Sequence, residues 1–497
     1  MIKNISYSNT IVLYWDLPVN YVNGNVFLIM SEGEFVGKTD KFNFQVKNLE
    51  NDSRYSFCVF MKHADGEEEL IGECVCRTAL QRKRIDISLP PYNAKGDGKT
   101  LNTECIQRAI DDCRGGECVY IPEGDFMSGA LRLHSDMELY LEKGAVLHGT
   151  TEVKDYQPKI KSRFEGIEMM CYSSLLNIGV LERDNGFTCS NVRICGEGTV
   201  CGGGAELAEN VIELESTLLK DYMESLGDKI KECESPRTIP GRPRPRLINI
   251  SCAQNVLISG ITVMNGSSWN VHMIYSDNVL THGCTFRSEK VHNGDGWDPD
   301  SSSNCTIFGC NFYTGDDAVA VKSGKNPEGN VINIPSEHIR IFDCVSHFGH
   351  GITIGSEISG GINDVRIWNC DMKIAARGIE IKGTKKRGGY VKNVHVSHSS
   401  VARIMMHTVT YNDDGESAPT APLFEKCTFE NLRITAVMHE KDGRVERCEA
   451  IKIEGFDMDK HLIKDIRFKN IDIESDEMQT IYLKYCKGVS FENISTK

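Results

Sequence analysis

Hydrophobic positions along this chain follow two different grammars. From residue 1 to about 84, apolar and polar side chains alternate within short runs, Ile11-Val-Leu-Tyr-Trp15, Asn25-Val-Phe-Leu-Ile-Met30 and Tyr55-Ser-Phe-Cys-Val-Phe60, separated by turn-rich stretches. Such runs predict strands, and several in so short a segment predict a small β-sandwich. From about residue 117 to the end a different unit repeats: a turn residue, an alternating triplet, then Gly, Asn or Asp and another short strand. Asn255-Val-Leu-Ile-Ser-Gly-Ile-Thr-Val263, Asn278-Val-Leu-Thr-His-Gly-Cys-Thr-Phe286, Asn304-Cys-Thr-Ile-Phe-Gly-Cys-Asn-Phe312 and Asp364-Val-Arg-Ile-Trp-Asn-Cys-Asp-Met372 share it. Starts roughly 23 to 34 residues apart have the period of a solenoid whose coils stack identical positions into ladders. Leucine-rich repeats have a similar period, but their leucine framework is missing here and β-branched residues dominate. The pattern therefore predicts an all-β chain: a small sandwich over 1–84, then a parallel β-helix over 85–497.

Two stretches break this pattern with helical spacing. Ile106, Ala109, Ile110 and Cys113 recur on one face between 102 and 113, with Asn102 or Thr103 available as the cap. A helix there covers the unpaired end of the first coil. Residues 205–233 place Ile212, Leu214, Leu218, Leu219, Tyr222 and Leu226 among Glu, Lys and Asp, which predicts a helical insertion beside the coils. It is read as a packing element or as a wall that closes one end of a cleft. Arg237, Arg242, Arg244 and Arg246 follow, punctuated by prolines. A segment of that composition is a solvated loop, or, beside a cleft, a source of bidentate contacts to carboxylates.

Composition narrows the function classes. A net charge of −14 argues against nucleic acid, which needs clustered positive charge, but leaves room for an anionic sugar held by a few cations in a cleft. No apolar stretch approaches the roughly 18 residues of a membrane span, so no membrane partner is expected. The opening Met1-Ile2-Lys3-Asn4-Ile5 lacks the basic start and apolar run of a secretory signal, which gives a cytoplasmic expectation. The 20 cysteines are scattered, several at one repeated register, and are expected as free, buried thiols. Cys74 with Cys76, and Cys113 with Cys118, lack a second ligand pair at zinc spacing, so neither a metal nor a cofactor is expected.

Carboxylates are densest in Asn293-Gly-Asp295-Gly-Trp-Asp298-Pro-Asp300-Ser-Ser-Ser-Asn304, followed about one coil later by Thr314-Gly-Asp316-Asp317-Ala-Val-Ala-Val-Lys322-Ser-Gly324. Positions one coil apart stack on one face, so Asp295, Asp316 and Asp317 converge. Neighbouring strand residues normally point to opposite faces, so Asp316-Asp317 after a glycine implies an irregular backbone that aims both at one place. Like charges so close cannot all ionise freely, and one acid is expected to keep its proton near neutral pH, as a general acid beside a general base. Turn residues or calcium ligands would account for either motif alone. The following coils add Gly349-His350-Gly351, then Arg377, Glu380 and Lys382, with alternation placing Glu380 and Lys382 on one face.

This series of acid, acid pair, histidine and cation resembles the polygalacturonases, glycoside hydrolase family 28, over about residues 88–497. The N-terminal Trp15-Asp-Leu-Pro18 and the Leu49-to-Tyr55 spacing are similar to a fibronectin type III module, whose tryptophan fills the core and whose tyrosine fixes a corner. The family resemblance implies a right-handed β-helix and an inverting, metal-free hydrolase of galacturonate-containing oligosaccharides, with exo action expected. By matching position it implies that Asp316 protonates the leaving oxygen, that Asp295 and Asp317 hold and deprotonate water, and that His350 tunes the acid. Asn293, Lys322, Arg377, Glu380, Lys382 and Tyr411 are the implied sugar contacts, with a packing role open for Tyr411. One position departs from the family pattern. Where the Arg-x-Lys motif carries arginine, this chain has Glu380, so either Glu380 pairs with Lys382 or Arg377, or the sugar beside the cut is neutral, as in a rhamnogalacturonan fragment. A β-helix lyase and a non-catalytic glycan-binding β-helix are the competing readings; the ordered histidine and the tandem aspartates favour hydrolysis. The sequence does not set the oligomeric state.

Overall fold

The computed structural model describes residues 1–411, 414–475 and 480–496. The chain divides into two compact units, Met1–Arg84 with Arg114–Cys118, and Ile85–Cys113 with Val119–Lys497. The first is a β-sandwich. Strands Ile2–Ser6, Ile11–Trp15 and Asn43–Val46 form one antiparallel sheet, and Glu34–Thr39, Val26–Ser31, Arg54–Lys62 and Glu68–Arg77 form the other. Trp15 is buried edge-on against Phe27, ring centroids 5.0 Å apart, with Phe42 and Phe57 also inaccessible to solvent. The Tyr55 hydroxyl accepts the Glu50 amide proton at 2.9 Å and so pins one corner.

The second unit is a parallel β-helix. Each full coil contributes three strands: Ala253–Ser259, Thr262–Met264 and Val271–Ile274 make one, and Asp277–His282, Thr285–Arg287 and Trp297–Asp300 make the next. Equivalent strands of successive coils pair in parallel, and the third strands form an 11-stranded sheet. The repeat's leading residue has a defined job. Asn255, Asn278, Asn304 and Asp364 all adopt left-handed backbone, φ between 51° and 56°. Asparagine tolerates this better than most side chains, and it marks where one coil turns into the next. Its amide also bonds along the stack: Asn278 Nδ2 donates to Asn255 Oδ1 at 2.8 Å, and Asn255 Nδ2 to Asn191 Oδ1 at 3.1 Å.

Beside the inward-facing Ile307, Ile341 and Ile367, aromatic rings form a further ladder. His282, Phe308, Phe342 and Trp368 stack face to face with centroid separations of 5.1, 4.8 and 4.4 Å, each contact worth about 0.5–1.5 kcal/mol beyond the area it buries. The cysteines at the repeated register, Cys284, Cys310, Cys344 and Cys370, are buried, and each thiol donates to the carbonyl two residues earlier at 3.3–3.4 Å. The thiol is thus more than a small apolar filler; it satisfies a buried carbonyl at a turn.

Both helical stretches are present, with corrections. Thr103–Asp112 buries Ile106, Ala109 and Ile110, but Asn102 does not cap it through its side chain. Its amide is drawn instead to the Lys95 amide and carbonyl and the Thr100 carbonyl, where it fastens the preceding loop. The insertion is a helix over Gly204–Leu218, another over Lys220–Leu226 and a short 3-10 turn. Its buried face is Leu207, Ala208, Val211 and Ile212, packed toward Tyr156 and Tyr172, whereas Leu214, Leu218 and Tyr222, expected on the apolar face, are exposed. The expectation of a solvated arginine loop holds for Arg237, which is exposed, but is overturned for Arg242, Arg244 and Arg246, which are 8, 4 and 2 % exposed.

Candidate active site

The residues nominated from sequence, Asn293, Asp295, Asp316, Asp317, Lys322, His350, Arg377, Glu380, Lys382 and Tyr411, all line one cleft of about 530 Å³. It lies along the outer face of the third-strand sheet, where Trp297–Asp300, Val319–Val321, Gly351–Ile354, Gly378–Gly383 and Ile404–Thr408 run side by side. Asp295, Asp317 and His350 each sit just ahead of their strand. The Gly296 amide bonds the Asp317 carbonyl at 2.9 Å and the His350 amide bonds the Asp316 carbonyl at 3.0 Å, so these coils are locked to one another at this rung. Such close approach explains the glycines around His350. At Gly349, φ +106°, a Cβ would lie 2.6 Å from the Asp316 and Thr314 carbonyl oxygens; at Gly351, φ +101°, it would lie 2.3 Å from that of Gly378.

His350 joins the two adjacent aspartates: its Nδ1 is 2.8 Å from Asp316 Oδ1 and 3.3 Å from Asp317 Oδ1. The Thr353 hydroxyl donates to Asp317 Oδ1 at 2.7 Å. Lys322 Nζ donates to Asp295 Oδ2 at 3.3 Å and lies 3.8 Å from Glu357. The electrostatics distribute protons unevenly. Burial, reinforced by the charges of Asp316 and Asp317 and opposed by Lys322, pushes the Asp295 carboxyl up to about 8. Asp298, three residues on and inaccessible to solvent, is also raised, by burial and then by the charge of Asp295, and neither of its oxygens has a hydrogen-bond partner. Burial acts to raise Asp316 as well, but the charge and hydrogen bond of His350 outweigh it and hold that carboxyl well below the usual carboxylate range. Burial would lower His350; Asp316 instead brings it up to about 9. The expected retained proton therefore resides on Asp295, while the proton nearest Asp316 is carried by His350.

On the strand next to Gly351–Ile354, Glu380 is paired, not with Arg377, but with Lys382 Nζ at 2.9 Å and His407 Nε2 at 2.7 Å, and Lys382 Nζ also lies 4.0 Å from Asp317 Oδ2. Arg377 is 3.7 Å from Glu440. Tyr411 is 36 % exposed, its ring centre 5.9 Å from Lys382 Nζ. Arg242 is consumed by Glu165 and Asp414 at 2.9 and 2.8 Å, and Arg246 lies 4.3 Å from the Phe164 ring centre. Arg244 donates to Asn293 Oδ1 at 2.9 Å and so positions a cleft residue instead of holding a ligand itself. Sequence reasoning missed Trp269, Phe164, Glu357 and His407 on the cleft wall. Trp269 and His407 could have been reached by coil counting, since each lies one rung from a named residue. Phe164 comes from a distant hairpin, Ile160–Phe164 with Ile167–Cys171, and stacks on Trp269 at 4.7 Å; the repeat carries no signal for it. Asp316, Asp317 and His350 offer ligand atoms within 4.8 Å of one another, a set that could hold a cation, but only by displacing the proton His350 shares with Asp316.

A cleft on a β-helix that presents clustered carboxyls, one protonated and one ionised, has what hydrolysis of a glycosidic bond requires. The chain belongs to the glycosyl hydrolases family 28, whose model matches residues 119–496, and it is a glycoside hydrolase. It is 26 % identical over 486 residues to an exo-poly-α-D-galacturonosidase of Dickeya chrysanthemi, covering 88 % of this chain and 80 % of that one. To a probable polygalacturonase of Vitis vinifera it is 32 % identical over 333 residues, 64 % of this chain and 61 % of that one. The structure of a Yersinia enterocolitica family 28 exopolygalacturonase, 24 % identical, superposes with a TM-score of 0.82 over 100 % of this chain and 98 % of the other, a likeness of fold. A Thermotoga maritima exopolygalacturonase, 27 % identical, gives 0.68 over 84 % and 92 %.

Proposed function

We propose that the protein removes galacturonosyl residues from pectic oligosaccharides by exo-acting hydrolysis with inversion. The observation that carries the hydrolytic part of this reading is the His350–Asp316–Asp317 contact at 2.8 and 3.3 Å, one coil from Asp295, and inversion is what the family resemblance implies. In the reaction His350 passes its proton to Asp316, and Asp316 delivers it to the glycosidic oxygen of the leaving sugar. Asp317 takes the proton of the attacking water, which Asp295 orients, and the hydroxyl adds to the anomeric carbon on the face opposite the departing oxygen. Asn293, Lys322, Arg377, Lys382 and Tyr411 hold the sugars. Exo action is supported by the helical insertion: Ala205, Ala208, Glu209 and Ile212 wall a chamber of about 270 Å³ that shares Glu165, Glu234, His292 and Asn293 with the cleft. It is supported too by the names of the relatives. All 20 cysteines are free thiols, which suits the cytoplasm as the place of action.

Proton NMR during hydrolysis of oligogalacturonides tests both parts. The first product should carry the inverted anomeric configuration and leave one chain end stepwise. A retained anomer, or random internal cleavage from the first turnover, rejects the corresponding part.

A further inference from the structure

Lys382 and His407 face each other in register on adjacent strands, and Glu380 stands two residues before Lys382 on the same outward face. Glu380 is 4 % exposed and both of its oxygens are engaged, one by Lys382 and one by His407. An ionised carboxylate only accepts, so Nε2 carries a hydrogen toward Glu380, and in the neutral imidazole Nδ1 then presents a lone pair. Among the described residues Glu380 is the one polar side chain bonded to His407, and His407 lines the cleft.

A second observation comes from the cations of the same cleft. Lys322 lies 3.3 Å from Asp295, Arg377 lies 3.7 Å from Glu440, and Lys382 lies 2.9 Å from Glu380. Each lysine or arginine on the cleft wall already has a carboxylate within 4.0 Å. A uronate entering beside Glu380 would meet neutralised cations and an additional anion, whereas a sugar hydroxyl would meet an acceptor nitrogen fixed in place.

We propose that His407 is a specificity residue that accepts a hydroxyl from the sugar beside the scissile bond, with Glu380 as the positioning residue that fixes its tautomer, so that this subsite selects a neutral sugar. The inference rests on the galacturonosyl-hydrolase reading above and specifies the sugar on one side of the cut.

Kinetics of the full chain on a galacturonosyl-rhamnose oligosaccharide and on an oligogalacturonide of equal length test it. His407→Phe keeps the ring and removes both nitrogens. It should raise KM for the rhamnose-containing substrate roughly tenfold more than KM for the oligogalacturonide, the loss of one good hydrogen bond, with the effect on KM larger than that on kcat. Glu380→Gln, which can also donate, should move the His407 ring-nitrogen NMR signals away from the pure Nε2–H tautomer and raise the same KM. The second variant answers the question should the first fold poorly. Equal losses on both substrates, or a wild-type Nδ1–H tautomer, overturn the inference while leaving the hydrolase intact. Cleavage of neither substrate by the wild type overturns the underlying reading, and the inference with it.

Discussion

Two neighbouring parts of the cleft, joined where Lys382 Nζ lies 4.0 Å from Asp317, are built from similar groups and behave oppositely. Around Asp295 and His350 the carboxylates and their partners within 4.0 Å come from neighbouring coils, whereas Glu380 and Lys382, 2.9 Å apart, share one strand. In the first part acids outnumber cations, so burial keeps protons on Asp295 and Asp298 while His350 holds Asp316 ionised. In the second, burial alone would raise Glu380, but Lys382 and then His407 bring it well below the carboxylate range. One part holds unevenly shared protons; the other holds a settled pattern of donors and acceptors. Under the proposed function, crowding of like charges suits catalysis and matching them suits recognition.

The comparison breaks most decisively at Asp316. Asp316→Asn should lower kcat by roughly 10²–10⁴ with an unchanged circular dichroism spectrum; undiminished hydrolysis would remove the first part from the scheme. Glu380→Arg tests the other part. It should shift the ratio of kcat/KM on oligogalacturonides to that on rhamnogalacturonides upward by about tenfold, the worth of one charge-assisted contact, and an unmoved ratio would show that the two parts do not divide the labour this way.

Stability against pH sharpens the contrast further. The protonated His350, raised from 6.5 to about 9, contributes stability that is complete below about pH 6.5 and lost as pH rises through 9. Asp295, raised from 3.8 to about 8, acts in the same direction, its contribution complete below about pH 3.8 and lost as pH rises through 8. The wild-type melting temperature should therefore fall between pH 6 and 9. Asp295→Asn should flatten that fall, by an amount on the order of 1–3 kcal/mol at pH 8, although it impairs turnover; an unchanged slope in thermal melts would contradict the proton on Asp295. Asn278→Ala is the smallest change. It removes a ladder bond remote from both parts and should cost about 1 kcal/mol in denaturant unfolding with KM on both substrates unaltered.

The repeat was legible because each rung obeys a local rule that the sequence states openly: a left-handed asparagine, a buried alternating triplet, a small residue at the turn. The site was legible for the same reason, since coil spacing converts Asp295, Asp316 and His350 into neighbours. What the sequence hid lies outside the period. Glu380 could be seen as a departure, but its two partners had to be weighed in space, and the choice of Lys382 with His407 over Arg377 depends on which side chains share the outward face. The prolines of residues 240–245 suggested solvent, yet Arg244 and Arg246 are consumed by backbone carbonyls, Asn293 and aromatic rings. In the insertion, helical spacing identified the element but not its buried side, because Leu214 and Leu218 satisfy the period equally well from the wrong face.

The place where that insertion enters has an implication for how such an enzyme changes over time. Gly204 to Gly241 departs after the Thr199–Cys201 strand and returns before Ile248–Ser251, and the pairing of Leu176–Ile178 with Ile248–Ser251 continues the sheet as though nothing intervened. Each strand takes its position from the coils above and below it, so the excursion, although Glu234 lines the cleft and Glu232 pairs with Lys386, does not interrupt the ladder that holds Asp295, Asp316 and His350. A lineage could lengthen, shorten or exchange that excursion, and with it the length of chain the cleft admits, without renegotiating the chemistry.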